Sequence, residues 1–385
     1  MRLTIVTGFF LPVPPVSGGA TEKIWHRLSQ EFARRGHQVT FVSRQWPGFP
    51  NRGIEHGVCQ IRVEGNDHSR HLPINLVYDF IWGLRVAPEL PDADITICNN
   101  VSLPIWLSAV RPRCGRVVAV VARMPKGQTR LYGRVDRVLS LSNALTERLL
   151  AENSSLAGKI GPFPFPIDWH LHAALPRKTT EGPLTIAYVG RIHPEKGVGL
   201  LLEAAALLAG KGGALPPWRL RITGPVSVPS GGGGEAWRDA LVARYGAVLA
   251  GRLEFLPAEY DPALLAKRYA EADVFVYPSL AEAGETFGVA VAEAMATGSA
   301  PLVSNLECFR DLVIPEKTGL VFNHAAQDAP QKLAESLERL VLDATLRRSL
   351  ASAAQAHSAQ FDYEPVATRV LEQFEQLLTK VPIGK

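Results

Sequence analysis

Short runs of β-branched and aliphatic residues alternate with helix-patterned segments along this chain, and the pattern stops and restarts once. That alternation predicts an α/β fold in which helices cover parallel sheets. In the first half, 3–6, 39–42, 95–98, 117–121 and 138–141 read as strands. Between the first two, Ile24, Leu28 and Phe32 recur every four residues, and Gly36 follows Arg34 and Arg35, which predicts a helix and its end. The second half repeats the scheme, with strands expected at 184–189, 219–223, 253–256, 273–277, 301–303 and 320–322. The break falls in GPFPFPIDWH, where Pro162, Pro164 and Pro166 oppose regular structure. A chain of 385 residues also favours two cores over one. The expected division is 1–167 and 184–360 as two Rossmann-like domains, 168–183 as a linker, and 361–385 as an amphipathic helix packing back on the first domain.

Composition narrows the class. Hydrophobic residues make up 46% and charged residues 20%, and no run reaches about 18 apolar residues, so a membrane span is not expected. The opening MRLTIVTGFF reads as a first strand rather than a leader, because its apolar run is short and Pro and Gly follow. Cys59, Cys98, Cys114 and Cys308 lack paired spacing, which argues against a zinc knuckle or disulfide framework and for a cytoplasmic protein. The net charge of +4 is uneven: residues 1–175 hold 20 Lys and Arg against 13 Asp and Glu, an excess of 7, while 176–385 hold 21 against 24. Eight cations between Arg111 and Arg137 face one acid, Asp136. Such a segment is either a solvated basic face or a contact for an anionic acceptor or an anionic membrane surface. Nucleic acid is not expected, since only Tyr132 interleaves those cations.

Three stretches carry residues suited to a ligand with hydroxyls and phosphates. In ETFGVAVAE, Glu285 and Glu293 are separated by seven residues, between an expected strand and a helix continuing through EAMATG. Carboxylates accept from sugar hydroxyls, while first-turn amides, expected at Thr286, Phe287 and Gly288, face an anion. Gly18 and Gly19 precede the first helix and serve either as a plain turn or as a close approach for a ligand. Gly190, Arg191 and Lys196 lie in VGRIHPEKG just after a strand, as ordinary loop charges or as cations for a departing diphosphate. Ser230 to Gly234 reads as a flexible surface loop, and Asp92-Ala93-Asp94 as a strand cap rather than a metal motif. The first strand lacks GxGxxG, which sets aside a nicotinamide enzyme.

The ordered set GGATEKIWHRLSQEFARRGHQVTFVS, YVGRIHPEKGVGLLLEA and YPSLAEAGETFGVAVAEAMATGSAPLVSN resembles the group 1, family 4-like, retaining nucleotide-sugar-dependent glycosyltransferases of the GT-B fold, over nearly the whole chain. The resemblance implies two Rossmann-like domains facing across a cleft. It implies a nucleoside-diphosphate-sugar donor, UDP-linked by default with GDP- or ADP-linked forms open, no required metal, and an acceptor hydroxyl of unspecified identity. By position, Arg191 and Lys196 match the cations on the donor diphosphate, and Gly18 and Gly19 the loop beside it. Glu285 matches the acid near the donor sugar, and Glu293 the acid on the ribose. The chain departs where relatives carry a histidine after the strand at 117–121: it reads Ala122-Arg123-Met124-Pro125-Lys126, so Arg123 or Lys126 takes the polar role there. Asn99 and Asn100, at another strand end, bind sugar or acceptor hydroxyls or form a turn. Leu76, Tyr78, Phe80, Trp82 and Trp106 hold a lipid carrier or are core, core being the default. Competing readings are an epimerase or phosphorylase on the same plan, whose acid–base carboxylates or cofactor lysine do not stand out, and a catalytically idle nucleotide-sugar-binding subunit, which the missing histidine favours.

Overall fold

The computed structural model describes residues 1–16, 19–176, 182–212 and 215–379. The chain divides into two units, Met1–Pro166 with the segment from Tyr363 onward, and Ile167–Asp362.

The first unit holds β1 (Arg2–Val6), α1 (Ala20–Arg34), β2 (Gln38–Arg44), β3 (Arg52–Glu55), β4 (Val58–Val63), α2 (Leu72–Val86) and β5 (Ile95–Cys98). It continues with α3 (Leu103–Val110), β6 (Arg116–Val121), β7 (Arg137–Ser140), α4 (Asn143–Glu152) and β8 (Ile160–Pro162). Its sheet runs β3-β4-β2-β1-β5-β6-β7-β8, and only the β3–β4 pair is antiparallel. The central strands are short and buried on both faces, as parallel strands under helices must be. In α1 the stripe Ile24, Leu28 and Phe32 is buried, with Trp25 stacked on Phe163 at 4.9 Å.

The second unit holds α5 (Trp169–Ala173), β9 (Leu184–Val189), α6 (Val198–Gly210), β10 (Trp218–Thr223), α7 (Glu235–Tyr245), β11 (Leu253–Leu256) and α8 (Pro262–Ala270). Then come β12 (Val274–Tyr277), α9 (Val289–Ala296), β13 (Ala300–Ser304), β14 (Leu320–Phe322), α10 (Ala329–Leu342) and α11 (Ala344–Ser358). Its sheet is wholly parallel in the order β11-β10-β9-β12-β13-β14. The last helix, α12 (Tyr363–Thr379), belongs to the first unit. There Gln373 donates to the Pro162 carbonyl at 2.9 Å, and Arg27 lies 4.3 Å over the Tyr363 ring.

Three expectations need correction. The stretch expected as a linker opens with α5, whose His172 is buried and packs on Tyr269, so the second unit starts at Ile167. Pro162 terminates the edge strand β8 instead of excluding one, because an outermost strand tolerates a residue without an N–H. Ser230 to Gly234 is tied down: Gly233 donates to the Ile192 carbonyl at 2.8 Å and Gly234 to that of Val226 at 2.8 Å.

Both sheets have the doubly wound order in which strand succession reverses, between β1 and β5 in the first and between β9 and β12 in the second. A crevice opens outside the strand ends at such a reversal, and ligands of open α/β sheets bind there.

Candidate functional site

In the second unit, the loops leaving β9 and β12 bring Lys196 and Glu285 together. Their ammonium and carboxylate form an ion pair with the side chains only 6% and 9% exposed. Tyr277 and Ser279 also donate to Glu285 Oε1, at 3.1 and 3.2 Å. This cluster is almost dry, so the pair is strong once formed and each charge depends on the other. The Tyr277 hydroxyl is pushed well above its usual range by burial and then by the Glu285 charge, so it stays a donor. Tyr188 stacks on Tyr277 at 5.7 Å and donates to the Arg191 carbonyl at 2.8 Å, which joins Arg191's turn to the Glu285 cluster.

Arg191 itself is bound by Glu195 at 2.5 Å and by the Gly231 carbonyl at 3.0 Å, with 43% of its side chain exposed. The two expected cations therefore differ: Lys196 is buried and paired across the sheet, and Arg191 is half-exposed and paired locally. Gly190 directly follows β9, where an added Cβ would lie 2.8 Å from the Tyr188 hydroxyl oxygen. Cys308, three per cent exposed, is pushed up to about 12 by burial and by the Glu285 charge, an inert thiol beside the pair.

The expected helix start moves. Gly288, at φ +97°, caps α9, and an added Cβ would sit 2.8 Å from Phe309, so the helix begins at Val289. Thr286, Phe287 and Gly288 thus precede the first turn instead of supplying it, and the Phe287 side chain packs edge-on against Phe361 at 5.4 Å. Glu285 lies in the loop. Glu293 lies on α9, 17% exposed, with His172 Nε2 4.0 Å from Oε1 and a hydrogen bond from the fully buried Tyr269. The buried-looking carboxylate has a dedicated donor, and the two glutamates have separate partners. Glu282, at the edge, is 3.8 Å from His324.

In the first unit, Gly19 caps α1 at φ +96°, and an added Cβ would lie 2.3 Å from Glu22 Oε2. Glu22 is 4% exposed, and burial raises its pKa above the ordinary glutamate value against the pull of Arg123. Gly18 lies outside the described residues. Asn99 Nδ2 donates to the Val6 carbonyl at 3.2 Å, while Asn99 Oδ1 and both amide atoms of Asn100 are buried without a partner among the described residues. Unpaired buried amides are uncommon, and these sit at the carboxyl end of β5, at the strand-order reversal. Arg123 and Lys126 are exposed after β6. Asp94 caps the start of β1 through Arg2 at 2.7 Å, and no cluster of three metal-ligating side chains occurs among the described residues.

Sequence reasoning missed the Tyr188–Tyr277 stack, Tyr269, His172 and the carboxylate of Glu22 under Gly19. The tyrosines left one signal: Tyr188 and Tyr277 close their strands just before the turns that carry Arg191 and Ser279.

Residues 175–357 match the family described as Glycosyl transferases group 1. The chain is related to that family. It is 32% identical over 211 residues to the D-inositol 3-phosphate glycosyltransferase of Rhodococcus opacus, covering 54% of this chain and 43% of that protein. It is 30% identical over 196 residues to the phosphatidyl-myo-inositol mannosyltransferase of Mycobacterium tuberculosis, covering 50% and 47%. The matches span less than half the length of these curated relatives. Among solved structures, sucrose-phosphate synthase of Thermosynechococcus elongatus superposes with a TM-score of 0.75 at 22% identity, over 98% of this chain and 99% of that one. An E. coli structure bound with UDP-2-fluoro glucose gives 0.73 at 14%, over 99% and 100%. The two Rossmann-like units are the GT-B architecture.

Proposed function

We propose that this protein moves a sugar, with retention, from a nucleoside-diphosphate-sugar to an acceptor hydroxyl, and that the donor is held at the strand-order reversal of the second unit. The observation that carries this is the buried Lys196–Glu285 pair with Tyr277 and Ser279 around it. Burying opposite charges seldom adds net stability, so a pair kept at a ligand-binding crevice points to use. Departure of a diphosphate concentrates negative charge on its oxygens as the anomeric carbon becomes positive. Lys196 has two further N–H donors beyond the one on Glu285, and Arg191 has donors beyond those on Glu195 and Gly231. Both cations are thus placed to receive the leaving phosphates without first losing their partners. Glu285 takes a sugar hydroxyl and Glu293, aimed by Tyr269, the ribose.

The donor is UDP-linked on this reading, since the similarly folded E. coli structure is bound with a UDP-sugar analogue. No metal is invoked, because Lys196 and Arg191 supply the positive charge. We assign the acceptor to the first unit, where Asn99, Asn100, Arg123 and Lys126 gather at strand ends, and place the protein in the cytoplasm. Front-face attack by the acceptor, with the leaving phosphate as base, accounts for retention. A thermal-shift screen of UDP, GDP, ADP and their sugars tests the donor site, since a ligand of the native state raises the melting temperature. UDP-glucose should shift the wild type and slowly release UDP without acceptor. No shift with any nucleotide would refute the site, and a shift with no turnover under any acceptor would leave a binding subunit instead.

A further inference from the structure

The helix α2 is built inside out. Its polar side chains Asn75 and Asp79 point inward with Trp82 and Val86, while Leu72, Leu76, Val77, Phe80 and Leu84 face solvent, each between 47% and 57% exposed. Leu76 and Phe80, expected as core, are therefore surface residues. Dedicated bonds lock that orientation. Asp79 accepts from the backbone of Val101 and Ser102 at 3.2 and 2.7 Å, at the start of α3, and Asn75 is bonded both ways to Ser69 at 2.8 Å. Trp82 Nε1 donates to the Thr7 carbonyl at 3.0 Å. Turning the apolar face inward would strip all of these, so its exposure is specified by the sequence.

The apolar surface continues onto neighbours. Trp106 of α3 meets Phe80 edge-on at 6.1 Å, and it lies so close to α2 that a Cβ on Gly83 would be 2.9 Å from its ring. Val110 at the end of α3 and Leu131 in the short helix Gln128–Arg134, which packs on α3, are 61% and 60% exposed. The same strip carries cations: Arg113, its side chain 81% exposed and 3.8 Å from Asp92, and exposed Arg130 and Arg134. The outward surface of α2 carries no acid, since its one carboxylate is the buried Asp79.

We infer that the outer face of α2, with Val110 and Leu131, inserts into the headgroup boundary of an anionic lipid bilayer while Arg113, Arg130 and Arg134 bind its phosphates. A 15-residue helix is about 22 Å long, a suitable length to lie in the interface. No helix among the described residues is long and apolar enough to cross a membrane, so the contact is one-sided. The cations select this occupant. An anionic surface complements Arg130 and Arg134, and its phosphates compete with Asp92 for Arg113. The inference stands apart from the transferase reading, since it uses no residue of the donor cluster.

Flotation of the full chain with vesicles tests it, using phosphatidylcholine alone and phosphatidylcholine mixed with phosphatidylglycerol. The mixed vesicles should carry the protein at low salt and the neutral ones should not. Val77→Ser with Leu84→Ser should weaken binding at least about tenfold at unchanged melting temperature, because both residues are exposed. Arg130→Gln with Arg134→Gln should weaken it and flatten its salt dependence. The inference is overturned if mixed vesicles do not bind the wild type, or if the serine pair binds as well as it does. It is equally overturned if light scattering finds a dimer that the serine pair dissociates.

Discussion

Replacing Lys196 by Met removes the ammonium and leaves the Glu285 carboxylate in a pocket where the pair's side chains are 6% and 9% exposed. Breaking a buried pair from one side costs about 3–5 kcal/mol. Tyr277 and Ser279 reduce the penalty little, since their bonds to Oε1 already exist in the wild type. The expected loss at pH 7 is therefore at least about 3 kcal/mol.

Urea unfolding of the wild type and Lys196→Met at pH 7, followed by circular dichroism, measures the difference in the transition of the second unit. Adding Glu285→Gln to Lys196→Met should restore most of the stability at pH 7, since no unpaired charge is left, yet leave donor binding abolished. That separation identifies the pair as a device for ligand binding rather than for folding. A single variant as stable as the wild type at pH 7, or a double variant no more stable than Lys196→Met, would refute the reasoning.

Tyr269→Phe should keep the ring packing on Phe275 and remove the donor to Glu293, weakening nucleotide binding by about 1 kcal/mol, some fivefold, in titration calorimetry. Loss of stability without loss of affinity would deny Tyr269 this aiming role. Glu22 has a raised folded-state pKa from burial, so the first unit gains stability as pH falls through that value and loses it as pH rises; Glu22→Gln should remove this dependence and raise neutral-pH stability in urea titrations. Gly288→Ala should cost about 1–3 kcal/mol, because the left-handed φ of +97° and the Phe309 ring 2.8 Å from the new Cβ both oppose it, and a melting temperature within a degree of wild type would contradict that.

The legible parts of this fold are those where burial and residue type agree. Strands such as β1, β9 and β12 are runs of apolar residues buried on both faces, and they fall within a residue or so of expectation. The strand β4 escaped because Gln60 and Arg62 interrupt its apolar character, although both are buried. Arg62 is tolerated there because its guanidinium reaches the carbonyls of Val13 and Pro50 and the carboxylate of Glu55, a set drawn from three separate segments that no local pattern encodes. The site divides the same way: motif order marks the loops, but the pairing of Lys196 with Glu285 depends on β9 and β12 being neighbours.

The helix α2 is the sharper case, because its pattern misleads rather than merely dilutes. An amphipathic reading puts the apolar side inward, and here the polar side chains face in because they cap α3 and fasten the loop before α2. Whether a polar residue faces in or out is settled by what awaits it on the inside, and backbone donors exposed by the next helix start are among the strongest attractions available. Asp79→Leu should therefore do more than remove a cap. It leaves the amides of Val101 and Ser102 without their acceptor, for about 1–2 kcal/mol. It also lifts the constraint that keeps Val77 and Leu84 outward, so vesicle binding should fall along with stability. Asp79→Asn, which retains only one of the two acceptor oxygens and turns an NH2 toward the other amide, should lose part of both; if Asp79→Leu destabilises the first unit yet floats with anionic vesicles as fully as the wild type, the bonds to Val101 and Ser102 do not set the outward face.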